Sequence, residues 1–175
     1  MKRIRGLATI LYYLSRMVAL LCLATTIYAF LILGLSSQTN MQGLPIEVSG
    51  GYFTVFFPFS GIPFLVGDDT ASYMITSMST MMLYGIFLWL LSAVFKAFMQ
   101  KKIFVPISVK RLKHFYLFNF FAPVIYIICL VAFRLDFRDA LIIAFLHMMI
   151  GVFNYFMAII FQQGLVLQEE QDLTF

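Results

Sequence analysis

Near the C-terminus of this 175-residue chain, His147 and Asn154 interrupt a long apolar stretch. Seven residues apart, they fall on one helix face and bracket the middle of that stretch. An imidazole and a carboxamide at such depth could form a ligand pocket or pass protons, since ionisable groups there are functional by default. A proton or ion relay also needs carboxylates within the apolar segments, and none of the four segments described below holds an Asp or Glu. That argues against a proton-coupled transporter or pump. The other chemistry open to these side chains is hydrogen bonding between helices, with Asn119 or with Thr76, Ser77, Ser79 and Thr80 as partners. The residue types favour that packing role. An intramembrane polar site of His147, Asn154 and Asn119 stands as the functional alternative.

Other reactive constellations are missing. No Walker-type loop, HExxH or GxSxG is present to license an ATPase, metalloprotease or serine hydrolase. Asp136 and Asp139 sit beside Arg134 and Arg138, and interfacial ion pairs account for them better than a paired-carboxylate site. Cys22 and Cys129 belong to no CxxC or Cys/His cluster, so no metal site is expected. Their expected depths differ by about 15 Å at 1.5 Å per residue, too far for a disulfide. The expectation is a protein without enzymatic activity, catalytic residues or a cofactor.

What must position these residues is a membrane. Hydrophobic residues make up 62% and charged residues 11% of the chain, against roughly 45–50% and about 25% in soluble domains. Four apolar segments cover about 17–36, 73–95, 115–133 and 140–161. Each approaches the ~20 residues that a helix needs to cross a hydrocarbon core of ~30 Å. The first is read as a retained span, because its apolar run exceeds the 7–15 residues of a typical signal-peptide core. The expected fold is an all-α integral membrane protein of one domain: four transmembrane helices and a small β-hairpin-like extracytoplasmic connection between the first and second. No internal duplication supports an inverted-repeat transporter.

Charge sets the orientation. Lys2, Arg3 and Arg5 precede the first span, and Lys96, Lys101, Lys102, Lys110, Arg111 and Lys113 lie in the 96–113 connection. The 37–72 connection holds Glu47, Asp68 and Asp69 and no Lys or Arg. By the positive-inside rule the N-terminus and the second connection are cytoplasmic, and four spans return the C-terminus to the same side. The acidic tail at Glu169, Glu170 and Asp172 does not oppose this, because acidic residues contribute little to orientation. Arg16 is expected to snorkel to the interface or to pair with a tail carboxylate.

The outer connection has structure of its own. The runs 44–48 and 52–56 flank Ser49-Gly50-Gly51, which predicts a hairpin, and 62–66 can add a third strand. Its aromatics, from Tyr52 to Phe64, are expected to pack on helix ends or dip into the interface. In the basic connection Ser108 is the expected N-cap of a short basic helix leading into span three. Pro123 is expected to kink that span. The tail mixes Leu165, Leu167, Leu173 and Phe175 with its charges, which suits an amphipathic helix or a docking peptide.

The tail also carries a resemblance. Gly164, Leu167, Gln168, Glu170, Asp172, Leu173 and Thr174 resemble the closing motif of a bacterial family of small membrane proteins, domain of unknown function 2975. A second similarity lies in Val109-Lys-Arg-Leu-Lys113, although Ile103-Phe104 stands where that family has Pro-Phe and the proline comes at Pro106. The resemblance implies a four-span protein of the bacterial cytoplasmic (inner) membrane with no established activity. Such proteins are often encoded beside a small helix-turn-helix regulator, which implies a membrane protein that sequesters a transcription factor.

The residues are compatible with that role. Lys110, Arg111, Lys113, Gln168, Glu169, Glu170 and Asp172 would share one face, able to latch together or to dock a partner. Topology plus attraction to anionic lipid, about 1 kcal/mol per Lys or Arg, explains the basic run without any partner. The expected partners are the lipid bilayer and a small helix-turn-helix regulator, with no direct binding of nucleic acid, because the basic run is short and shares its face with acids. The competing function is a small-molecule or lipid binding or transport protein built on the His147 and Asn154 site.

Overall fold

A computed structural model describes residues 2–36 and 44–173. Helix α1 (Lys2–Ser36) is followed by strands β1 (Ile46–Ser49), β2 (Tyr52–Phe56) and β3 (Pro63–Asp68). Helices α2 (Ala71–Phe98), α3 (Pro106–Ala132) and α4 (Arg138–Leu173) complete the chain. All four helices are long and apolar enough to cross a membrane. Each runs beyond its apolar segment. The basic lead-in belongs to α1, Lys110, Arg111 and Lys113 belong to α3, and the acidic tail continues α4. Arg, Lys, Gln and Glu are good helix formers, so polarity ends the apolar run without ending the helix. Large apolar side chains remain exposed on the helices, among them Phe30 (69%), Ile128 (61%) and Phe153 (67%). Water would not tolerate a surface of that kind, and hydrocarbon does.

The chain divides into two units, residues 20–85 and residues 1–19 with 86–175. In the first, the strands form an antiparallel sheet in the order β1-β2-β3. Ser49 pairs with Tyr52 across Gly50 and Gly51. Both glycines have positive φ, 61° and 81°. That is the two-residue turn whose twist matches a hairpin, and side chains with a Cβ resist it. The third strand, expected over 62–66, forms over Pro63–Asp68, with an irregularity of register between Val55 and Phe56. Alternation along β2 sends Phe53 and Val55, both fully buried, into a small core with Ile32 and Ile46. The Tyr28 hydroxyl donates to the Phe56 carbonyl at 2.9 Å and ties α1 to the sheet.

In the second unit α3 and α4 pack antiparallel. Tyr116 meets Tyr155 with ring centroids 5.4 Å apart. A Cβ on Gly151 would lie 2.8 Å from the Phe120 ring, and one on Gly164 would lie 2.6 Å from the Phe104 ring. Residue numbers fall on one helix as they rise on the other, and glycine lets the aromatic rings of the 104–120 region lie on the α4 backbone. Val94, Leu112, Phe115, Ala158 and Phe161 form the core.

Ser108 is not the N-cap of α3. Val105 is, in extended conformation, with Pro106 opening the helix. Proline presets the helical φ and lacks the N–H that a cap would satisfy, so it starts the helix unaided and leaves Ser108 inside. Pro123 is buried within α3, which continues on both sides of it.

Candidate functional site

Asn119 and His147 meet across α3 and α4. Asn119 is fully buried. Its Nδ2 donates to the Phe115 carbonyl at 2.8 Å, which turns Oδ1 towards His147. His147 Nδ1 lies 2.8 Å from that oxygen. An amide oxygen can only accept, so Nδ1 carries the proton. The Phe87 ring stands edge-on to the imidazole, with centroids 5.1 Å apart. This is one of the hydrogen-bonded partnerships that the residue types suggested. Asn119 also precedes Pro123 by four residues, so its own carbonyl is the one that proline deprives of a helical donor.

Asn154 does not join this pair. Its Nδ2 donates to the Ile150 carbonyl of its own helix at 2.9 Å, and seven residues set it about 10 Å along the axis from His147. Asn119 and His147 are thus joined between helices, while Asn119 and Asn154 each also donate to a carbonyl of their own helix. Cys22 and Cys129 are free thiols. Among the described residues no three His, Cys, Asp or Glu side chains gather as metal ligands.

The charged candidates collect at the other end of α3 and α4. Lys110 and Lys113 are exposed on the first two turns of α3, and Arg111 between them is half-buried. Gln168 is half-buried, and Glu169 and Glu170 are exposed, on the last turns of α4. The side chain of Asp172 lies outside the described residues. Arg5 donates to the Lys101 carbonyl at 3.3 Å and brings the start of α1 to this end. Extending the pairing of Tyr116 with Tyr155 along both helices puts Arg111 level with roughly residue 160. Glu169 and Glu170 then stand about 14 Å further along the axis. The helix positions of Glu169 and Glu170 are therefore offset along the axis from those of Lys110, Arg111 and Lys113.

Three features here escape sequence reasoning. The Arg16 guanidinium stacks over Trp89, 2.8 Å from the ring centroid. Lys96 stands 5.7 Å from the Tyr12 ring. The Ser108 hydroxyl and one guanidinium nitrogen of Arg111 are buried without a hydrogen-bond partner among the described residues. Only the Arg and Trp types themselves hinted at stacking, and the spacing of Ser108 and Arg111 pointed to a cap and an exposed charge.

The unit of residues 20–85 contains an apolar groove of about 570 Å³ between α1 and α2, lined by Ile27, Phe30, Leu31, Met74, Met78 and Met82 among others. Thr26 and Ser79 also line it, but their hydroxyls bond to the carbonyls of Cys22 and Ile75 in their own helices. The groove therefore offers an apolar surface, and its methionines are the side chains that adapt best to varied apolar shapes.

A family model described as protein of unknown function (DUF2975) matches residues 59–175, from the turn before β3 through all of α2, α3 and α4. No curated protein and no solved structure matches the chain.

Proposed function

The chain belongs to the DUF2975 family of proteins of unknown function, and from that premise we propose that it is a non-enzymatic regulatory protein of the bacterial inner membrane. On this reading it crosses the bilayer four times with both termini in the cytoplasm and the β-sheet outside. Its inner end sequesters a small cytoplasmic helix-turn-helix regulator. The observation that carries the reading is the course of α4. It continues as a helix past its apolar length and leaves Glu169 and Glu170 exposed on its last turns. Exposed acidic and basic groups at one end of a protein set partner choice and on-rate. The distribution of Lys and Arg supports the orientation.

The test is affinity purification of the tagged protein from native membranes in mild detergent, with mass spectrometry of what accompanies it. A small helix-turn-helix protein, lost when residues 168–175 are removed while the helices remain folded, is the expected result. Retention of that protein by the truncated chain would remove the tail from the account. The competing function, binding of a lipid or small molecule, draws its support from the apolar groove between α1 and α2, since His147 and Asn154 are engaged in hydrogen bonds. It expects bound lipid or metabolite in place of a protein partner, and it expects His147→Phe to leave that cargo in place.

A further inference from the structure

The first two turns of α3 hold two donors that no described residue satisfies. Ser108 is fully buried, and its Oγ has no partner. Arg111 Nη1 is buried and has none. The residues are three apart and so share a helix face. Buried donors are paired in the great majority of proteins, and an unmatched charged donor is the costliest kind.

Among the described residues neither finds an acceptor. A serine inside a helix usually donates to the carbonyl four residues back. Here that residue is Phe104, which precedes the N-cap Val105 and lies outside the helix. Among the described residues Arg111 has no carboxylate at its own level. Asp136 and Asp139 lie beyond the far end of α3, which Arg111 precedes by about 30 Å of helix. The carboxylates of Glu169 and Glu170 stand about 14 Å along the axis in the other direction.

We propose that Ser108 and Arg111 bind the phosphate of an anionic phospholipid. The proposal rests on the membrane placement argued above and is independent of any protein partner. The two residues sit where the apolar length of α3 gives way to charge, which is the depth of lipid phosphates. Ile103, Phe104 and Val109, close in sequence to both residues, pack against the core of Leu112, Phe115 and Phe161 and stay only partly buried, which leaves apolar surface for the glycerol and upper acyl chain. The phosphate supplies several acceptor oxygens. A planar guanidinium can donate two parallel bonds to them, and the serine hydroxyl one more. Exposed Lys110 and Lys113 add attraction without geometry. The start of α3 has no side-chain cap and no acidic residue in its first turn, so its positive end faces no competing anion of its own.

The experiment titrates the purified full-length protein in mild detergent with phosphatidylglycerol, phosphatidylcholine or inorganic phosphate, read by native mass spectrometry. Arg111→Gln, Ser108→Ala and Lys113→Gln are compared with the unchanged chain. One tightly held phosphatidylglycerol is expected. It should be weakened about tenfold or more by Arg111→Gln, the scale of one lost charge-assisted bond. Ser108→Ala should weaken it less, and Lys113→Gln less than twofold. Ser108→Ala removes only a hydroxyl, so it decides the matter if Arg111→Gln does not fold. Equal binding of phosphatidylcholine, or equal losses for Arg111→Gln and Lys113→Gln, would overturn the proposal. So would full competition by inorganic phosphate, which would assign the pair to the free ion. Alkaline carbonate extraction of the source membranes separates the two failures. A protein released by carbonate contradicts the membrane placement, and one that is retained but binds lipid without preference contradicts only the site.

Discussion

Replacing Asn119 with Leu should destabilise the packing of α3 on α4 by more than the loss of one bond. Asn119 is fully buried, and the 2.8 Å contact uses its only free acceptor. Its replacement leaves the His147 Nδ1–H facing a methyl group. Hydrogen bonds between membrane helices are worth about 0.6 kcal/mol on average and about 1.7 kcal/mol at most. Full burial of the acceptor places this pair towards the upper figure. Asn119→Leu should therefore cost about 1–2 kcal/mol, and His147→Phe a similar amount, because it strands the Asn119 oxygen. The double variant removes both polar partners, so it should cost less than the sum of the singles by about 1–1.7 kcal/mol. Reversible unfolding in mixed micelles, followed by circular dichroism, measures the cycle. Additivity within about 0.3 kcal/mol would refute the claim that these side chains satisfy each other.

Other substitutions probe separate parts of the structure. Gly151→Leu should drive the Phe120 ring off α4 and cost about 1–3 kcal/mol in thermal unfolding, whereas Gly6→Ala, which meets nothing within 4 Å, should be neutral or slightly stabilising. Trp89→Leu removes the face on which Arg16 stacks and should lower stability by about 0.5–2 kcal/mol, with the melting temperature as the readout. Phe53→Ala empties the centre of the sheet core at a cost of about 3–5 kcal/mol. It should open the strands to chymotrypsin near Tyr52 and Phe56 while α3 and α4 stay resistant, and an unchanged digest would contradict the role given to Phe53.

Much of the fold was legible because it follows from pattern. Apolar length marks the four helices, and Gly50-Gly51 between β-prone runs marks the hairpin. The helix ends were not legible in the same way. Ser108 has the chemistry of a cap, but Pro106 starts α3 two residues earlier. Lys96, Lys110 and Glu169 continue helices that hydropathy alone would end. At the candidate site, residue type suggested Asn119 as a partner for His147, and the antiparallel packing of α3 on α4 brings the two together. The same periodicity put Asn154 on the face of His147 and could not reveal that it would bond to its own backbone. Burial of Ser108 and of one Arg111 nitrogen is set by tertiary packing, which no local signal encodes.

The central claim is that the basic connection and the end of α4 share the cytoplasmic side, opposite the sheet. Single cysteines at Ser60, Lys102 and Gln168, in a chain with Cys22 and Cys129 replaced by serine, test it with a membrane-impermeant thiol reagent on intact cells. The account predicts labelling at position 60 in intact cells and at positions 102 and 168 only after the membrane is opened. Labelling of position 102 or 168 from outside would contradict it.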